Sequence, residues 1–298
     1  MGQYIGDDSN LMLNLQTVTE DLGTACKGKV WIIVTSQQEI DKITEVRGND
    51  FSKIQGRFDT RLSLSSANVD EVIKKRILVK NETGEQTLKS LYEQNETSIK
   101  NLIIFNDGVE KKLYKNKDDF SIVYPFVPYQ FDLLASVLTS IRIHGASGKH
   151  LAEGERSMLA LFKESAVKLK EKSHGAIVPF NLFYDALDQF LDHSHRSVII
   201  RAKSNSEINP QEEEDCFNVN VLKALFMIKY VDAVAANADN ITSLMVSNIS
   251  NDRIILKKQV EDALKVLQKQ LLIQRNGNYY VFLTDEEQEI NREIESQN

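Results

Sequence analysis

The stretch Lys29-Val30-Trp31-Ile32-Ile33-Val34-Thr35-Ser36 decides how the chain is read. Apolar residues in a row, rich in β-branched side chains, stop abruptly at two hydroxyls and the amides Gln37 and Gln38. A half-covered strand alternates apolar and polar positions, and this one does not. The pattern predicts a strand covered on both faces, as at the centre of a parallel sheet flanked by helices. Ligands of such sheets bind beyond the carboxyl ends of the strands, where Thr35 and Ser36 fall.

Upstream, Asp7, Asp8 and Ser9 offer caps to a helix carrying Leu11, Leu13, Leu15, Val18 and Leu22. Downstream, residues 38–46 and 50–54 predict short helices, and residues 61–66 alternate as a second strand. Asn68 and Glu71 then form a capping box ahead of a stripe of Val69, Val72, Ile73, Ile77 and Leu78. Beyond Glu82 the periodicity turns wholly helical, with helices predicted over 86–102, 129–143, 154–172 and 180–191. Pro125 and Pro128 exclude a helix from residues 124–128, ahead of the helix at 129–143. Residues 203–215, acidic and containing Pro210, read as a surface connector. Helices at 219–236, 241–249 and 256–270 lead into strands at 271–275 and 279–283. The Asn276-Gly277-Asn278 between those strands is a hairpin signal, and a last helix starts at Asp285. Helices followed by such a hairpin give the order of a winged-helix domain. The expected fold is mainly α with an α/β portion, divided into residues 1–66, 67–203 and 204–298.

Bulk properties narrow the chemistry. The 298 residues have room for two or three domains, and a net charge of −7 confines any nucleic-acid contact to a local basic patch. Cys26 and Cys216 stand far apart with no CxxC, and the five histidines include no HExxH or zinc spacing, so no metal site is expected. No apolar run approaches the ~18 residues of a membrane span, and no signal-peptide core follows Met1, which points to the cytoplasm.

The order of a strand ending Thr-Ser-Gln, a basic turn, a second strand, helices and a Gly-Glu-Arg helix resembles the second half of a AAA+ ATPase of the origin-recognition-type initiator branch. More closely, Gln3-Tyr4-Ile5-Gly6-Asp7, Val34-Thr35-Ser36-Gln37-Gln38, Phe282-Leu283-Thr284-Asp285-Glu286-Glu287 and the long string from Asn49 to Phe58 resemble the P-loop ATPase of bacterial BREX phage-defence systems. The resemblance implies a partial AAA+ nucleotide-binding sheet, a helical lid and a C-terminal winged helix. It implies that Thr35, Ser36 and Gln37 sense the γ-phosphate and that Arg156 contacts bound phosphates from the lid. It further implies that Arg57, or else Arg61, reaches a neighbouring subunit's nucleotide.

The chain departs from that family in one respect: it contains no G-x-x-x-x-G-K-[ST]. The resemblance would put this loop, and the strand bearing the Mg²⁺-organising carboxylates, before Met1. The expectation is therefore the carboxy-terminal part of a longer ATPase, with ATP and Mg²⁺ bound by the full-length protein and neither by these residues alone. It would act in an oligomer of itself with other defence-system subunits. Phosphoryl transfer needs positioned cations and backbone donors around the phosphates, so no intrinsic ATPase activity is expected. The missing strand would also leave residues 29–36 and 61–66 to pair with each other or expose their edges.

Plainer readings stand beside these. Thr35 and Ser36 equally suit capping of the next helix, Arg57 pairing with Asp59, and Arg156 a solvated helix start. Lys257, Lys258, Lys265, Lys269 and Arg275, with Arg253, outnumber Glu261 and Asp262, which suits weak duplex contact by a recognition helix and wing. The same charges suit a merely solvated helix face. A protein of another class, a winged-helix regulator or adaptor that binds protein partners or DNA without catalysis, is the alternative.

Overall fold

The computed structural model describes residues 9–27, 29–33, 69–144 and 154–296. The chain divides into two compact units, Met1–Ser65 and Ser66–Asn298. In the first, helix α1 (Ser9–Ala25) is followed by a turn in which the Lys29 amide donates to the Cys26 carbonyl. Here the opening expectation fails over the described part of the stretch. Lys29–Ile33 forms no strand, and Trp31 and Ile33 are 90% and 86% exposed. A strand exists only where neighbours take up its N–H and C=O groups, and among the described residues no segment pairs with this one. Apolar β-branched composition supplies the propensity, and partners supply the structure.

The second unit is built on helices. α2 (Val69–Val72) runs into a π-helical turn, Ile73–Ile77, and α3 (Glu82–Leu102) begins where the Asn81 side chain accepts from the Gly84 amide. α3 buries Leu88, Tyr92, Ile99 and Leu102, spaced to form one stripe. α4 (Lys117–Val123), capped by Asn116, packs on α3. The segment 124–128 is non-helical as its prolines require, and it is an anchor. The Pro125 carbonyl accepts from the Val178 amide. Gln130 accepts from the Val127 amide and donates to the Val178 carbonyl. α5 (Tyr129–Ile143), α6 (Gly154–Lys168) and α7 (Leu182–Leu187) enclose an aromatic cluster. The Phe162 ring lies 4.4 Å from Phe131, 4.7 Å from Phe126 and 5.1 Å from Phe183, centroid to centroid. Each such ring removes a large apolar surface from water, on the order of 1.5–3 kcal/mol apiece.

α8 (His193–Lys203) has no counterpart in the sequence expectation. Its start is fixed by Asp192, which accepts from the His195 amide. The supposed surface connector after it is partly interior: Ile208 and Asn209 are buried, and Asn209 clasps the Lys203 and Glu213 carbonyls. α9 (Phe217–Ile228) is buried all round from Val219 onward and forms the axis of this half. It ends well before residue 236, because residues 233–237 turn back to meet the hairpin. α10 (Ala238–Leu244), α11 (Arg253–Lys269), β1 (Ile273–Asn276), β2 (Tyr279–Phe282) and α12 (Asp285–Ser296) complete the chain. β1 and β2 pair antiparallel with Ile273 opposite Phe282, around Gly277 at φ +63°. The Tyr280 amide donates to the Ala236 carbonyl, so the segment between α9 and α10 adds a third edge to the hairpin. α8 and α11 both pack on α9, and α12 packs on α8. One hydrophobic cluster runs from Val69 to Phe282.

Candidate functional site

The cations expected to touch nucleic acid occupy α11 and the hairpin, where several of them already have partners within the chain. Arg253 opens the helix and is a structural hub. Its guanidinium donates to the carbonyls of Leu102 at 2.7 Å, Ile104 at 3.2 Å and Asp239 at 3.2 Å, and to the Ser243 hydroxyl at 3.0 Å. Burial draws its pKa below the usual arginine value, against the pull of Asp239. Lys257 pairs with Asp239 at 2.8 Å, and Lys265 with Asp262 one turn away at 2.9 Å. Lys269 reaches Glu207 only at 3.9 Å. Arg275 donates to the Gly277 carbonyl at 2.8 Å, with its guanidinium over the Tyr280 ring. Lys258 is exposed and has no ion-pair partner among the described residues. The helix face thus offers fewer free charges than its composition suggests.

The residues that the family resemblance assigns to nucleotide lie elsewhere. Thr35, Ser36, Gln37, Arg57 and Arg61 fall outside the described residues. Arg156 sits in the first turn of α6, its side chain likewise outside them.

Three interior charge sites were not anticipated. Lys223, within α9, is buried and meets the Asp185 carboxylate at 2.7 Å, and Asp185 also takes Lys168 at 2.7 Å. Burial pushes the Asp185 carboxyl up, but the two ammonium groups outweigh it and hold the group below the ordinary carboxylate value. Lys229 donates to the Phe282 carbonyl at 2.6 Å and to Glu287 at 2.7 Å, tying α9 to the start of α12. Asp107, in the segment that follows α3, pairs with Lys111 at 2.8 Å and accepts from the Asn240 side chain at 3.1 Å. The one legible signal was Lys223, a single cation in an otherwise apolar helix, which needs a buried anion.

A cleft of 950 Å³ lies beside the π-helical turn, lined among others by Asp70, Lys74, Lys80 and Ile122. The Lys80 ammonium donates to the Ile122 carbonyl at 3.0 Å, and burial depresses its pKa to about 8. Carboxylates and cations share this lining, and among the described residues it holds no nucleophile with a base at its side. Among the described residues no group of three or more His, Cys, Asp or Glu side chains could hold a metal ion. None of the described helices is long and apolar enough to cross a membrane. Compared with known proteins, the chain matches no family model and no solved structure.

Proposed function

We propose that these residues serve as the helical lid and winged-helix part of a AAA+-type P-loop ATPase of bacterial phage defence, as an interaction module without ATP turnover of its own. Support comes from the order of elements at the carboxy-terminal end: α9, a single bridged edge at Ala236–Asn237, α10, α11 and the β1–β2 hairpin. That order fits a winged helix, with α11 as the recognition helix, and it follows a helical layer as it does in the resembling family. In this reading ATP and Mg²⁺ are held by parts of the ATPase that carry the phosphate loop, which these 298 residues lack. The assembly would comprise further copies and other defence subunits in the cytoplasm.

The exposure of Trp31 and Ile33 gives no support to a covered nucleotide sheet in this chain. It favours the second reading at that end, an adaptor that binds partners without chemistry. The ion pair of the partly covered Lys257 with Asp239 leaves the helix face one cation fewer for DNA, which leans toward a protein partner. Two measurements test the proposal. Phosphate release by the purified chain should equal a buffer blank, and sustained turnover overturns the module reading. Supplying the chain to an ATPase of this family truncated before its lid should restore turnover, and failure to bind it rejects the assignment.

A further inference from the structure

Among the described residues of the second unit, α11 and α12 each carry an uncovered stripe, and the two differ in sign. On α11, Ile254 and Ile255 are 82% and 60% exposed, and the same face carries Lys258, Lys265 and Lys269 against Glu261 and Asp262, so that it is basic on balance. On α12, Glu286, Glu289, Ile290 and Glu293 fall on one exposed stripe, with Ile290 58% exposed. The inner side of α12 is occupied: Gln288 is buried, Glu287 holds Lys229 and Asp285 holds Arg201. Each stripe therefore joins exposed isoleucine to charge, one mainly basic and the other acidic.

Both stripes stay exposed in the folded chain, so neither covers the other within one molecule. We propose that the α11 stripe docks the α12 stripe of a second copy, isoleucines against isoleucine and lysines against glutamates. The two surfaces are different patches, which makes the contact head-to-tail, the kind that closes into rings or runs on as filaments. Charge complementarity sets the pairing and its orientation, and the apolar residues supply the desolvated centre. Nucleic acid fits the α11 stripe less well. Its first turn carries two exposed isoleucines where a base-reading helix presents polar donors. The contact requires no nucleotide and no upstream residue, so it stands or falls separately from the ATPase reading.

Sedimentation velocity of the full 298-residue chain tests it, with two surface variants. Wild type should associate with rising concentration, and less so as salt rises. Lys258→Glu/Lys265→Glu and Glu286→Lys/Glu289→Lys should each weaken association roughly tenfold or more, since each meets its partner with like charge. Mixed together, the reversed α11 face meets the reversed α12 face and the two unaltered stripes meet as in wild type, so association of the two variants in equal numbers should reappear. All changed side chains are exposed, and an unaltered circular dichroism melt identifies a variant that has kept its fold. A wild type that stays monomeric at every concentration overturns the proposal, as does a mixture that fails to pair. Association that survives in both variants places the interface elsewhere and overturns it too. Loss of random-duplex binding in Lys258→Glu/Lys265→Glu with self-association unchanged assigns the stripe to nucleic acid instead.

Discussion

Lys223 and Asp185 illustrate how a single buried charge governs its surroundings. Lys223 is almost wholly enclosed and has Asp185 as its anion, whereas Asp185 also keeps the partly exposed Lys168. The pair is therefore asymmetric. Asp185→Ala strands a buried ammonium and should cost roughly 3–5 kcal/mol. Lys223→Met removes the enclosed charge while Asp185 retains Lys168, and should cost clearly less. Urea denaturation of both variants at neutral pH gives the comparison, and equal losses contradict it. The pH sign follows from the depressed Asp185 value. Its folded pKa lies below its unfolded one, so its contribution is complete above the ordinary carboxylate pKa of 3.8 and is lost as pH falls through the folded value. Asp185→Asn should accordingly flatten the acid limb of the stability profile.

At the scale of elements, two short segments carry more than their length suggests. Residues 175–178 lie against 247–249: the Ile249 amide donates to the Gly175 carbonyl and the Ile177 amide to the Ser247 carbonyl. Gly175 makes this possible with φ +99°, and a Cβ there would stand 3.0 Å from Ile249 Cγ1. Gly175→Ala should cost roughly 1–3 kcal/mol. Gly277→Ala, at φ +63° with open space around it, should stay near the lower end, about 1 kcal/mol. Thermal melts that rank the two the other way refute the argument. The other segment is Lys29–Ile33. Trp31 is the sole tryptophan, so it reports on this stretch alone. Its fluorescence should match free indole in emission and in acrylamide quenching, and should barely change on unfolding. A blue-shifted, protected emission would restore the covered strand.

For the whole second unit, the helical half and the hairpin half share their interior. The Phe226 ring lies 5.4 Å from Tyr184 and 5.7 Å from His195, and the Phe180 amide donates to the Leu244 carbonyl. A chain ending at Lys203 loses α9, which carries the Lys223 partner of Asp185, and with it one whole side of this packing. It should show no cooperative unfolding transition by calorimetry. A sharp transition in the truncated chain would establish residues 67–203 as independent.

Most helices were legible in the sequence because apolar residues at helical spacing need only one covered face, whatever covers it. α5 begins and ends where its pattern puts it, between Pro128 and the glycine loop, and the hairpin follows from Asn276-Gly277. α8 escaped notice because charged and histidine residues crowd its sequence, and its start depends on a cap at Asp192 rather than on a stripe. The sequence alone determined a mainly helical chain with a C-terminal hairpin and no phosphate loop. Tertiary structure alone decided which charges are consumed: Arg253, Lys257 and Lys229 look like surface cations until distant carbonyls and carboxylates converge on them. It also decided that Val30, Trp31 and Ile33 stand exposed. Helical hydrogen bonds close within a few residues, whereas strand pairing, ion pairs and burial need partners brought from far along the chain.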